Sequence, residues 1–225
     1  LAELPLRPRA AAGYGPATMP TPLEQWVDEV ARLTRPKDIV WCDGSDAEYH
    51  RLIDEMLASG TLMKLDQQRY PGCFLHRSDP TDVARTEHLT FVCTTQKDDA
   101  GPNNNWMAPA DAKKKVGALF EGSMKDRTMY VVPFLMGPKG SKFSKAGVEA
   151  TDSIYVALNL RIMTRMGQVA LAHLGNSGDF TRGFHSKADV NPERRYICHF
   201  PQDNTIWSFG SGYGGNTPLG KKILG

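Results

Sequence analysis

Arg195-Tyr-Ile-Cys-His-Phe200 and Thr205-Ile-Trp-Ser-Phe209, followed at once by Gly210-Ser-Gly-Tyr-Gly-Gly-Asn-Thr-Pro-Leu-Gly-Lys-Lys222, decide the fold class. Two strand candidates run into a glycine-rich segment whose amides can approach an anion closely and whose glycines adopt φ > 0 without penalty. Working outward, Arg127-Thr-Met-Tyr-Val-Val-Pro-Phe134 is β-rich, but Pro133 confines it to an edge, a bulge or a strand end. Residues 153–174 read equally as strand or helix up to Gly167, and 168–174 as helix. Strand candidates at 61–65 and 88–95 are separated by a polar loop, and Ile39–Cys42 is a further short strand.

Helices interleave with these strands. Thr21 and Glu24 form a capping-box pattern with Pro22 at the first helical position, and Leu23, Trp26, Val27, Val30 and Ala31 recur at helical spacing until Pro36. Ser45 and Glu48 repeat the pattern before a helix that ends at Gly60, and a third helix is expected over 109–121. The mixture predicts an α/β fold with flanking helices on a mixed sheet. Residues 1–20, rich in proline, alanine and glycine without periodicity, are expected to be an irregular arm, with the folded part over 21–225.

The 225 residues carry 27 Lys+Arg against 25 Asp+Glu, a net charge of +2. Such balance gives no electrostatic footprint for nucleic acid or a polybasic membrane surface. No apolar run approaches the roughly 20 residues that cross a bilayer, so a cytoplasmic location is expected. The four cysteines, Cys42, Cys73, Cys93 and Cys198, show no C-x-x-C spacing and read as reduced thiols.

The glycine-rich segment fits two phosphate-binding patterns incompletely. Gly210, Gly212 and Gly215 match G-x-G-x-x-G, yet Pro218 interrupts the helix that should follow, so a nicotinamide-dependent dehydrogenase is disfavoured. Gly215, Gly220 and Lys221 match a Walker A loop except that Lys222 replaces the magnesium-binding Ser or Thr. Adjacent lysines disfavour each other's charge, so one can serve as a neutral donor while the other grips an anion. Arg85 can present a bidentate fork to a carboxylate or phosphate, or make a surface ion pair. The six histidines show no ligand spacing, and no G-x-S-x-G elbow is present.

Taken together, Arg127-Thr-Met-Tyr-Val-Val-Pro-Phe-Leu-Met-Gly-Pro138, Thr151-Asp-Ser-Ile-Tyr155, Arg161-Ile-Met-Thr-Arg-Met-Gly167 and Phe209-Gly-Ser-Gly-Tyr-Gly-Gly-Asn216 through Gly220-Lys-Lys222 resemble the GTP-dependent phosphoenolpyruvate carboxykinases. Asp82-Val-Ala-Arg85 and Asn104-Asn-Trp-Met107 agree in order and rough spacing. The resemblance covers about residues 21–222 and implies the substrate-side, N-terminal domain of such an enzyme. The implied reaction converts oxaloacetate and GTP to phosphoenolpyruvate, CO2 and GDP in gluconeogenesis. Mn²⁺ would stabilise the enolate left by decarboxylation, with Mg²⁺ on the nucleotide.

Carried over, the family motif makes Arg85 the group that holds a substrate carboxylate or phosphate, with Tyr213, Gly214 and Gly215 lining the substrate site. Lys221 would contact substrate, and Lys222 would be a neutral-lysine manganese ligand. The family's remaining metal ligands, a histidine and an aspartate, and its GTP-binding P-loop are downstream features that this chain does not contain. The expectation is therefore that the 225 residues alone do not turn over and belong to a longer, monomeric polypeptide without nucleic-acid or membrane partners. A non-catalytic anion-binding domain derived from that enzyme is the alternative.

Overall fold

The computed structural model describes residues 19–77, 79, 82 and 87–212. Thr21 opens helix α1 (Pro22–Thr34) as its sequence predicts. Its hydroxyl accepts from the Glu24 amide, and the Glu24 carboxylate takes the Thr21 amide at 2.8 Å. The second capping box is only half made. Before α2 (Asp46–Ala58), Ser45 caps the Glu48 amide, but the Glu48 carboxylate accepts from the Gly44 amide at 2.9 Å, because Asp43 already takes the Ser45 amide at 2.7 Å.

The remaining elements are β1 (Asp38–Trp41), β2 (Leu62–Lys64), β3 (Phe74–His76), β4 (Thr90–Val92), β5 (Asn105–Trp106), α3 (Pro109–Phe120), β6 (Thr128–Met136) and β7 (Lys145–Thr151). They are followed by α4 (Ile154–Met163), β8 (Arg165–Met166), α5 (Gln168–Leu174), β9 (Thr181–Ser186), β10 (Tyr196–Phe200) and β11 (Thr205–Phe209). One mixed sheet has the order β1-β6-β7-β9-β11-β10-β4-β5, with β8 also paired to β6, while β2 and β3 form a separate pair. The α/β class expected from the sequence is therefore the observed one. Of the arm expected over 1–20, residues 1–18 lie outside the described residues.

Alternation along β6 divides the core. Met129 and Val131 are buried with Val27 and Val30 of α1 and Val116 and Phe120 of α3. Tyr130 and Val132 point the other way, into a second cluster with Leu52, Ile53 and Met56 of α2 and Ala157 and Leu158 of α4. A period of two in one strand thus places helices on both faces of the sheet. Phe120 anchors the first cluster, stacked on Phe184 at 3.8 Å and edge-on to Phe209 at 5.1 Å.

Three sequence expectations are corrected. Pro133 does not put β6 at an edge: the strand lies inside the sheet between β1 and β7. Its missing N–H faces the place where one neighbour gives way to another, since β1 pairs only with Thr128 to Val131 and β8 only with Phe134 and Leu135. The Pro133 carbonyl on that side still accepts from the Gly167 amide at 2.8 Å. The polar loop between the early strand candidates contains β3, paired antiparallel to β2. The ambiguous stretch from 153 to Gly167 is neither one strand nor one helix but α4 followed by β8, whereas the helix expected over 168–174 is observed as α5. No helix among the described residues is long and apolar enough to cross a membrane.

Candidate functional site

Strands β7, β9 and β11 are mutually parallel neighbours, so their C-terminal ends emerge side by side. In open α/β sheets this is where ligands bind. The residues that leave these ends here are Thr151, Asp152 and Ser153 from β7, His185, Ser186 and Lys187 from β9, and Gly210, Ser211 and Gly212 from β11. The Gly210 amide extends the β9–β11 ladder by one bond, to the Ser186 carbonyl at 2.9 Å.

A buried relay links the three ends. His185 is 1% exposed; its Nε2 lies 2.6 Å from the Ser211 carbonyl, and its Nδ1 lies 2.7 Å from Thr151 Oγ1. A carbonyl can only accept, so Nε2 carries the proton and Nδ1 accepts from the Thr151 hydroxyl. Thr151 Oγ1 in turn accepts from the Ser153 amide at 3.0 Å. Burial pulls the imidazole pKa below its ordinary value, against the opposing pull of the Asp152 carboxylate and the Ser211 carbonyl. His185 is therefore a neutral brace rather than a proton donor to a ligand.

Asp152 forms the second knot. Its side chain is fully buried and accepts from Arg127 Nη1 at 2.8 Å, the Ser186 hydroxyl at 3.0 Å and the Lys187 amide at 2.7 Å. Arg127 also donates from Nη2 to the Ala188 carbonyl, and the buried Arg195 donates to the Val190 and Gly210 carbonyls, each at 3.0 Å. These clamps hold a turn in which Ala188 (φ 48°) and Val190 (φ 57°) take left-handed conformations that non-glycine residues rarely adopt. Strain of this kind persists where surrounding contacts over-determine it, typically beside a binding site.

Beside Asp152 lies a cavity of about 340 Å³ whose walls include Arg77, Asp82, Asp152, Tyr155, Lys187 and Gly212. That is the small end of the roughly 300–1,000 Å³ range of ligand pockets. His76 stacks on Tyr155 at 4.3 Å and its Nδ1 donates to the Thr61 carbonyl at 2.8 Å, which fixes one wall. Among the described residues no group of three or more His, Cys, Asp or Glu is arranged to hold a metal ion. All four cysteines are free, with Cys42, Cys93 and Cys198 buried and Cys73 exposed.

Every site residue expected from the sequence, namely Arg85, Tyr213, Gly214, Gly215, Lys221 and Lys222, lies outside the described residues. The structure instead describes the flanks of those positions. Asp82 and Gly212 both border the cavity, and they are hydrogen-bonded to each other. Sequence reasoning missed Asp152, Lys187 and the His185 relay. The only sequence signal for Asp152 was its place in Thr151-Asp-Ser-Ile-Tyr155, one of the blocks that carry the resemblance, because the strand it follows was not legible.

Comparison with known proteins agrees with the resemblance. Residues 25–225 match the family model described as "Phosphoenolpyruvate carboxykinase N-terminal domain". The chain is 63% identical over 212 residues to "Phosphoenolpyruvate carboxykinase [GTP]" of Anaeromyxobacter dehalogenans (strain 2CP-C), covering 93% of this chain and 36% of that protein. It is 50% identical over 214 residues to the protein of the same name from Chlamydia pneumoniae, covering 90% and 36%. The Corynebacterium jeikeium (strain K411) protein of that name is 47% identical over 208 residues, covering 88% and 34%. The chain thus spans about a third of the length of the curated relatives it matches. With nearly all of its residues inside the matched region, the chain belongs to the phosphoenolpyruvate carboxykinase N-terminal domain family.

Proposed function

We propose that this chain supplies the N-terminal, substrate-side domain of a GTP-dependent phosphoenolpyruvate carboxykinase, which decarboxylates oxaloacetate and transfers the γ-phosphoryl group of GTP to the resulting enolate. Cytoplasmic gluconeogenesis is the setting this reading implies. The observation that carries it is the convergence at one cavity of the Asp82 segment and the Gly210–Gly212 segment. In sequence these lead directly into Arg85 and into Tyr213, Gly214 and Gly215, the residues to which the resemblance assigns substrate contacts.

The division of labour follows from charge. Oxaloacetate and phosphoenolpyruvate are small anions, and Arg85 is the bidentate partner for a carboxylate. Lys221 contributes a second cation. Arg77 and Lys187, beside the cavity, supply positive charge on the described side. Catalysis in phosphoryl transfer is mostly positioning and charge stabilisation, so a rigid wall matters more than a covalent step. The buried clamps on Asp152 and His185 provide that rigidity. The manganese-ligand role that the resemblance assigns to Lys222 lies outside the described residues, among which no metal-ligand set is found.

The test is a coupled assay for GTP-dependent formation of phosphoenolpyruvate from oxaloacetate with Mn²⁺, in the intact gene product. Turnover is expected in the wild type and its loss in Lys222→Ala. Binding of phosphoenolpyruvate without turnover would instead favour a non-catalytic anion-binding domain. Absence of both binding and turnover would remove the substrate reading.

A further inference from the structure

Two distant stretches of chain meet at one carboxylate. Asp82 is 1% exposed; Oδ1 accepts from the Ser211 hydroxyl at 3.0 Å and Oδ2 from the Gly212 amide at 3.0 Å. The Asp82 amide bonds back to the Asp79 carbonyl at 2.9 Å, which closes a turn on its own segment. The approach is close enough to require a glycine opposite, since a Cβ on Gly212 would stand 2.6 Å from Oδ2. Ser211 is held from its other side by His185 Nε2, and through it by Thr151.

The geometry points to Asp82 as a positioning residue that locks the segment leading to Arg85 onto the segment leading to Tyr213. This rests on the substrate reading above: in sequence, Arg85 follows the lock by three residues on one side and Tyr213 follows it directly on the other. An ionised acceptor makes charge-assisted bonds of roughly twice ordinary strength. A dry, 1%-exposed site keeps water from substituting for either donor. Ser211 and Gly212 each offer Asp82 one donor, so a single carboxylate is bonded to the second segment at two successive residues. Loosening Asp82 should therefore loosen both segments together, whereas an ordinary packing role would loosen only its own.

The experiment is hydrogen–deuterium exchange on the intact gene product, wild type and Asp82→Asn, with phosphoenolpyruvate as the probe, together with the steady-state KM values. In Asp82→Asn without ligand, peptides spanning 79–86 and 210–217 should both exchange at least fivefold faster, while those of β9 keep their protection. The KM for oxaloacetate should rise about tenfold with the KM for GTP within twofold of wild type, a split that general loss of structure does not produce. Faster exchange in only one segment, or equal changes in both KM values, would overturn the proposal. If Asp82→Asn also deprotects β9, Ser211→Ala, which removes one of the two bonds, takes its place. It should accelerate exchange in 79–86 as well as in its own segment, and an unchanged 79–86 would overturn the proposal. Failure of phosphoenolpyruvate to protect either segment in the wild type would count against the substrate reading, with the coupling still read from the ligand-free exchange.

Discussion

Glu149 and Gly183 face each other across the parallel β7–β9 pair, and the Glu149 carboxylate lies over the glycine: a Cβ on Gly183 would stand 1.7 Å from Oε2 and 2.7 Å from Cδ. A strand-interior glycine normally weakens a sheet, but here it makes room for the neighbouring carboxylate. Gly183→Ala should lower stability by about 2 kcal/mol, the usual scale of overpacking. Adding Glu149→Ala to the same chain should return most of that loss. Urea unfolding of the two variants measures both changes, and an equal loss in the double variant would place the cost elsewhere.

The same carboxyl makes stability depend on pH. Burial raises it from 4.5 to about 8, so between those values the folded chain keeps a proton that the unfolded chain has released. The folded state binds more protons there, and stability falls as pH rises, by up to about 1.4 kcal/mol per pH unit. Glu149→Gln keeps the shape and removes the titration. The wild type should gain on the variant at pH 5 and lose that advantage by pH 8 in unfolding free energies measured across the range. A pH-independent difference would mean that the carboxyl is ionised in the fold throughout.

How much of this could be read from the sequence depended on whether local chemistry decided the outcome. Thr21 and Glu24 set the start of α1 because both partners of the capping box are adjacent in the chain. β10 and β11 were legible from their β-branched and aromatic runs. β7 and β9 were not, although they lie at the centre of the sheet. Gly147 and Gly183 replace apolar side chains there, because the Phe134 ring and the Glu149 carboxylate fill their space from neighbouring strands. Only tertiary contact reveals that. The site behaved the same way: Asp82 stood in a recognisable motif, but its partners Ser211 and Gly212 lie 129 and 130 residues away. Likewise, Pro133 obeyed its local rule about a missing donor while lying where no edge exists.

The Thr151–His185 bond gives a spectroscopic prediction. With Nε2 donating to the Ser211 carbonyl, the imidazole nitrogens should report a neutral ring protonated only at Nε2. Because burial depresses the folded-state pKa, the ring contributes stability above the ordinary histidine pKa of 6.5 that is lost as pH falls through the depressed value, opposite in sign to Glu149. Thr151→Val strips the donor from Nδ1 and the acceptor from the Ser153 amide, at a cost of about 1–3 kcal/mol. Nitrogen-15 NMR of the ring and urea unfolding test the two statements separately. A ring protonated at Nδ1 in the wild type would contradict the assigned direction of the relay.

Asp152 holds a turn that begins at a trypsin site, Lys187. Lys187 is exposed, so trypsin is kept from its peptide bond by conformation rather than by burial. That conformation includes the left-handed Ala188 and Val190, and it depends on the Lys187 amide bonding to Asp152 and on Arg127 reaching both Asp152 and the Ala188 carbonyl. Asp152→Asn puts an amide where three donors converge, so at least one of them loses its acceptor and Arg127 loses its counter-charge. The expected cost is about 2–4 kcal/mol of stability, since the pair is buried on the acid side but partly solvated on the arginine side. Released from its anchor, the turn should relax out of its strained conformation, and trypsin should cleave after Lys187 at least tenfold faster under native conditions. Cleavage there at the wild-type rate would mean that Arg195, through Val190 and Gly210, holds the turn by itself.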